Sequence, residues 1–153
     1  MDLQVRAATA DDLDLMARWA QAMAIETEDK ALDADIVTRG IAAGLADPGR
    51  ARYYVASVDD EAAGTLMLTT EWSDWRNGWW WWIQSVYVAP AHRRKGVYRA
   101  LYSHVHDLAR ADPEVRGLRL YVEKENVTAQ RTYEFLGMVD AGYRRYEAET
   151  RRG

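Results

Sequence analysis

The chain has 153 residues, 48% of them hydrophobic and 29% charged, with a formal net charge of −4. That length suits one domain with one core. The charge balance neither forces disorder nor supplies the basic surface needed to follow a phosphate backbone, so nucleic acid is not an expected partner. With no cysteine there is no disulfide framework, thiolate metal site or cysteine nucleophile, which fits the cytoplasm expected as its location.

The N-terminal MDLQVRAATADDLDLM carries acids where a signal peptide needs a basic flank and an apolar run. No later segment approaches the roughly 20 apolar residues of a membrane span. Neither export nor membrane insertion is expected, and the sequon Asn126-Val127-Thr128 should stay unmodified. There is no internal repeat and no long Gly, Ser or Pro linker, so residues 1–153 are expected to form one domain.

In chain order, Leu3 to Ala7 alternates weakly and reads as a short strand. Thr9-Ala10-Asp11-Asp12 then offers a cap hydroxyl with an acid three positions on, the signature of a helix start. Leu13, Met16, Ala17, Ala20 and Met23 recur at helical spacing. A second stripe, Ile36, Val37, Ile41 and Leu45, runs to Asp47-Pro48-Gly49, and the acidic IETEDKALD links the two helices. From Arg52 the period changes, with RYYVASV and AGTLMLTTEW reading as strands joined at Asp59-Asp60-Glu61. SDWRNG turns the chain again, with Asn77-Gly78 expected to supply positive φ. Trp79 to Val88 follows as a third antiparallel strand.

Six of the seven tryptophans fall between Trp72 and Trp82. In a strand, Trp80 and Trp82 share one face and Trp79 and Trp81 the other, so helices on both sides would make the run two-sided core packing. Pro90 ends the strand, and Val97, Ala100, Leu101, His104, Val105 and Leu108 mark a helix. Leu118 to Glu123 reads as a strand, Thr128 to Leu136 as a helix stopped by Gly137, and a last strand-like segment ends near Glu147. The resulting order, β-αα-βββ-α-β-α-β, implies a mixed α/β fold with a mostly antiparallel central sheet and helices on both faces.

Two segments carry chemistry. In SVYVAPAHRRKGVYRAL a strand meets a helix through a basic loop. Unpaired amides and the helix dipole can hold a phosphate there, and Arg93, Arg94 and Lys95 add charge. In ENVTAQRTYEFLGM, Asn126, Ala129, Tyr133 and Gly137 lie along one helix face, with Asn126 at the cap. His92, His104 and His106 show no ligand-like clustering and read as structural or surface groups, and no zinc or calcium loop is visible, so no metal is expected.

These two segments, spanning roughly Ser85 to Met138, resemble the acyl-CoA motif and the motif that follows it in the GNAT superfamily of acetyl-CoA-dependent N-acetyltransferases. Arg93 and Gly96 match the first motif, and Tyr98 departs from it by replacing a small residue. Asn126, Ala129, Tyr133 and Gly137 match the second. The resemblance implies transfer of an acetyl group from acetyl-CoA to an amine by direct attack in a ternary complex. It implies that backbone groups of Val86, Tyr87 and Val88 pair with the pantetheine arm, and that a β-bulge near Gln84 or Ser85 splays this strand from its neighbour to admit CoA and changes which face continues into Val86 and Val88. Amides from Arg94 through Lys95, Gly96, Val97, Tyr98 and Arg99 would cradle the pyrophosphate, Asn126 would bond the pantetheine, and Tyr133 would protonate the departing thiolate. The strand ahead of the loop holds Trp82, Gln84 and Ser85 and no carboxylate, which leaves Glu71 as the candidate general base, directly or through water.

The parts that wall the acceptor site in this superfamily are acidic and aromatic here. Glu26, Glu28 and Asp29 lie on one side, and Glu71, Trp72, Asp74 and Trp75 on the other. A cationic amine, on a small molecule or a peptide, suits both sets. A catalytically silent acyl-CoA-binding or sensing module is the alternative, and a homodimer stays open. The C-terminal Arg151-Arg152-Gly153 reads as a solvated end.

Overall fold

The computed structural model describes residues 1–151; Arg152 and Gly153 of the expected solvated end lie outside them. The chain divides into two compact units, Met1–Tyr121 and Val122–Gly153. The first holds β1 (Leu3–Ala7), α1 (Leu13–Glu28), α2 (Ala34–Ala46), β2 (Arg52–Val58), β3 (Glu61–Ser73), β4 (Gly78–Val88), α3 (Val97–Ala111) and β5 (Val115–Leu120). Its five strands run in sequence order across one sheet, antiparallel except for the parallel pair β4 and β5. The fold is mixed α/β.

Local chemistry sets the element ends. Thr9 accepts from the Asp11 amide while Asp12 accepts from the Thr9 amide, the reciprocal cap expected from the sequence, although one 3-10 turn precedes α1. Asp12 is buried and takes two bonds of 2.8 Å from Arg6, which holds its carboxyl below the usual range. Asp33 caps α2 through the Asp35 and Ile36 amides. Asp59 and Asp60 both have positive φ, 50° and 67°, making the tight turn that the twist of a hairpin favours. At the next turn only Asn77 is left-handed. Gly78 serves closeness instead, because a Cβ there would meet Arg116 Nε at 2.6 Å.

Alternation on the strands builds two cores. Val55 packs with Met16, Ala17 and Ile41, so that face lies under α1 and α2. Tyr54 meets His104 of α3, and Gly64 approaches Val97 and Leu101, so the opposite face lies under α3. Leu66, Leu68, Leu101 and Val105 are fully buried, each contributing about 1.5–3 kcal/mol by leaving water. Helices thus cover both sheet faces, and no helix among the described residues is long and apolar enough to cross a membrane.

The Val122–Gly153 unit holds α4 (Val127–Phe135). Asn126 caps it, and Gly137 at φ 94° closes it, with the Gly137 amide on Glu134 O and the Met138 amide on Tyr133 O.

Three expectations need correction. The strand expected at 118–123 spans Val115–Leu120. It begins where the Asp112 turn releases Val115 to pair with Trp79, and its pairing with β4 ends at Ile83 and Leu120. The last strand, ending near Glu147, is absent among the described residues. Asp140 accepts from the Gly142 amide and Gly142 takes φ 78°, a local turn that breaks the extended run. The tryptophan run is not packed on both sides: Trp81 is buried at 5% exposure, whereas Trp79, Trp80 and Trp82 are half-buried.

Candidate active site

β4 is where the sheet opens. Met67 pairs with Ser85 and Leu68 with Ile83, so Gln84 is the extra residue of a bulge, as expected near Gln84 or Ser85. Pairing with β5 stops at Ile83, which leaves the outer edge of Gln84–Val88 without a neighbouring strand among the described residues. Such an edge can pair with an extended ligand. Of the expected pantetheine contacts, Val86 and Val88 turn their backbone groups to it, with Val88 O already accepting from Arg93 Nε, whereas Tyr87, opposite Thr65, turns its backbone groups to β3.

The edge runs directly into the basic loop. Pro90–His92 forms a 3-10 turn, Arg94 takes φ 63°, and Gly96 takes φ 82° as the N-cap of the 15-residue α3. Gly96 brings no capping side chain, so the first-turn amides of Val97, Tyr98 and Arg99 get none from it. Open space surrounds the position of its absent Cβ. Exposed Arg94, Lys95 and Arg99 flank this dipole end, a combination that attracts a phosphate-sized anion. Tyr98, the departure from the small residue expected there, is half-buried and has its hydroxyl buried.

Arg93 behaves differently from its neighbours. Its Nη2 pairs with Glu26 Oε2 at 2.8 Å and its Nε donates to Val88 O at 3.0 Å. Tyr87 donates to Glu26 Oε1 at 3.4 Å and packs on Trp19 at 5.8 Å. Burial, with the Glu26 charge second, pushes the Tyr87 phenol up. Glu26, expected on the acceptor wall, ties the end of α1 to the loop. Glu28 is exposed at the end of α1.

The acceptor candidates on β3 separate by face. Trp72 stands opposite Trp79 and meets it edge-on at 5.0 Å, on the α3 side, half exposed. Trp75 and Asp74 lie in the turn beyond, Trp75 at 96% exposure. Glu71 lies on the other face, the one that carries Tyr87. Its Oε1 accepts from Arg119 Nη1 at 2.6 Å and from Trp82 Nε1 at 3.3 Å. Trp82 stacks on Tyr121 at 4.6 Å, and the Arg119 guanidinium lies 3.8 Å from the Trp80 ring centre. Gly117 makes room for Trp80, whose ring would stand 2.5 Å from a Cβ there. Arg119 and Tyr121 were not singled out from the sequence. The signal was present: in GLRLY, Arg119 alternates with Leu118 and Leu120 and follows a glycine by two.

Glu71 pairs with Trp80, and its side chain leans to Trp82. Trp82 is four residues from Val86, but with Gln84 bulged out only three residues of β3, from Thr69 to Leu66, oppose that span, about 10 Å at 3.3 Å per residue. Direct proton transfer needs about 3 Å, so from this position Glu71 reaches an amine at Val86 only through water.

In the Val122–Gly153 unit, Asn126 Oδ1 accepts from the Ala129 amide at 3.1 Å, and Tyr133 lies half-buried on α4. No group of three or more His, Asp or Glu among the described residues could hold a metal ion. His92 is buried, which fits the structural one of the two positions expected for it.

The acetyltransferase (GNAT) family model matches residues 13–138. No curated protein matches the chain. Among solved structures, the chain is similar to a possible acetyltransferase from Clostridium difficile 630, with 44% identity over 98% of this chain and 99% of that one and a TM-score of 0.92. Ribosomal-protein-alanine N-acetyltransferase from Brucella melitensis biovar Abortus 2308 is 18% identical over 97% and 99% of the two chains, with a TM-score of 0.76. The enzyme AAC(6′)-Iy, solved with the bisubstrate analogue CoA-S-monomethyl-acetylneamine, is 14% identical over 97% and 99%, with a TM-score of 0.78. The last two are likenesses of fold alone. Matched by the family model over most of its length, the chain belongs to the acetyltransferase (GNAT) family.

Proposed function

We propose that this chain is an N-acetyltransferase that moves the acetyl group of acetyl-CoA onto an amine within a ternary complex. The observation that carries the proposal is the strand edge Gln84–Val88, opened by the bulge and leading straight into the left-handed Arg94–Gly96 loop at the α3 N-terminus. That sequence of groups fits a long donor with an amide-bearing arm and a pyrophosphate.

Acetyl-CoA supplies an acyl group activated by a thiolate leaving group. The Val86–Val88 edge orients the arm, and an N–H there stabilises charge gathering on the carbonyl oxygen. The amides of residues 94–99, with Arg94, Lys95 and Arg99, hold the pyrophosphate. Arg93 fixes the loop to α1 through Glu26. The new C–N bond forms as the C–S bond breaks, the amine's proton leaves to water, and the Tyr133 hydroxyl gives its proton to the sulfur. Asn126 steadies the arm. Glu71 acts on the acceptor by charge or through water. No step needs a metal, and one transferase domain, working in the cytoplasm, includes both units; support for that extent comes from the family match across residues 13–138.

Thiol release from acetyl-CoA across a panel of amines tests this. Acceptor-dependent, saturable release is expected; tight CoA binding with no release from any amine would instead assign a silent binding module.

A further inference from the structure

Resting on the transferase function proposed above, we propose that Glu71, Arg119, Trp80, Trp82 and Tyr121 hold the far end of the acceptor, a free aminocarboxylate head whose reacting amine lies several bonds away.

All five residues belong to the Met1–Tyr121 unit and are brought together from the ends of three strands. Glu71 and Arg119 are 46% and 39% exposed, so the pair is open to a ligand. Both hydrogen bonds on Glu71 fall on Oε1, leaving Oε2 without one among the described residues. Arg119 spends one N–H on Glu71, and its planar fork retains further donors. One ion pair thus offers a carboxylate oxygen to an ammonium and a guanidinium edge to a carboxylate. An isolated surface pair contributes only about 0–1 kcal/mol to stability and needs no aromatic floor. This one has such a floor, with Arg119 lying on Trp80 and Trp82 stacked on half-exposed Tyr121. Indole and phenol faces suit the alkyl stem and the cation of such a head.

Distance decides which end of the acceptor binds here. Arg119 stands at the level of Trp82 and Glu71 at that of Trp80; across the bulge these lie three and five β3 residues from Leu66, the partner of Val86, about 10 and 17 Å. Taking off about 3 Å for a hydrogen bond at each end leaves roughly 4 to 11 Å between head and reacting nitrogen. That is about three to nine single bonds, so an amine bound at Glu71 cannot itself be the nucleophile.

The test measures kcat/KM by thiol release for lysine, 6-aminohexanoate, 1,5-diaminopentane and pentylamine. Wild-type protein should prefer lysine over pentylamine by about ten- to a hundredfold, the scale of charge-assisted bonds. Arg119→Gln should collapse the preference for 6-aminohexanoate over pentylamine to within about threefold. Glu71→Gln should do the same for diaminopentane. No wild-type preference, or preferences that persist in both variants, overturns the head-group site and leaves the transferase standing. Absence of release from every amine removes both. The wild-type panel decides the matter even if a variant fails to fold, and circular dichroism reports whether each does.

Discussion

Gly96→Ala isolates what the loop geometry does. No atom lies within 4 Å of the added methyl, so crowding is not the perturbation. The cost is conformational: Gly96 sits at φ 82°, where an L side chain costs about 1–2 kcal/mol. Arg94 already occupies the left-handed region at φ 63°, so the loop has little slack to share the strain. If the backbone holds its shape, stability falls by that amount. If it relaxes, the amides of Val97, Tyr98 and Arg99 turn away and the donor binds less well. Relaxation is expected, because α3 is anchored by buried Val97 and Leu101 while the loop is exposed. One to two kcal/mol is then about five- to thirtyfold in the KM for acetyl-CoA, with kcat at saturation changed less than twofold. Gly96→Asn, which tolerates this conformation better, should recover most of the affinity. Steady-state kinetics with acetyl-CoA varied at fixed acceptor, alongside thermal melts, make the comparison. A KM unchanged in the Ala variant, with the melt unchanged too, would refute the view that the left-handed turn shapes the donor site.

Other expectations follow from single contacts. Tyr133→Phe should lower kcat by at least tenfold with the KM for acetyl-CoA within about twofold, as loss of an acid acting at the leaving group requires; equal turnover removes that role. Asp12→Asn should destabilise the protein by about 1–2 kcal/mol in chemical denaturation at pH 7, the pair being discounted for the exposure of Arg6. Because Arg6 holds the Asp12 carboxyl below its unfolded value, the wild type keeps this contribution above about pH 4 and loses it as pH falls through the folded pKa. The gap between wild type and variant should therefore close in acid, and a gap independent of pH contradicts the assignment. Gly117→Ala puts a methyl into the Trp80 ring and should cost about 1–3 kcal/mol with a shift in tryptophan emission. Glu26→Gln should raise the KM for acetyl-CoA severalfold while melting within a few degrees of wild type, since the Glu26–Arg93 pair is half exposed; an unchanged KM means the pair does not order the loop.

Much of this was legible in the sequence because it depends on short-range chemistry. The Thr9–Asp12 cap, the helical stripes, the Asp59-Asp60 hairpin and the basic turn before Val97 are each set within a few residues by period, capping and backbone freedom. Face assignment in the tryptophan run followed from alternation alone, whereas the bulge near Gln84 was legible only through the family resemblance. The last strand failed because strand formation needs a partner that alternation cannot guarantee, and the Asp140–Gly142 turn works against it.

Residue types, periods and spacings therefore determined most of the elements, the basic turn before Val97 and the family resemblance. Only tertiary structure decided who meets whom. Glu26 and Arg93 are 67 residues apart, Glu71 and Arg119 48 apart. No local rule pairs them, since their approach depends on strand register and on which face each strand turns to a helix. Registry also moved Trp72 onto the α3 side and placed Trp80 and Trp82 beside Glu71, making that pair the aromatic floor of the candidate acceptor site.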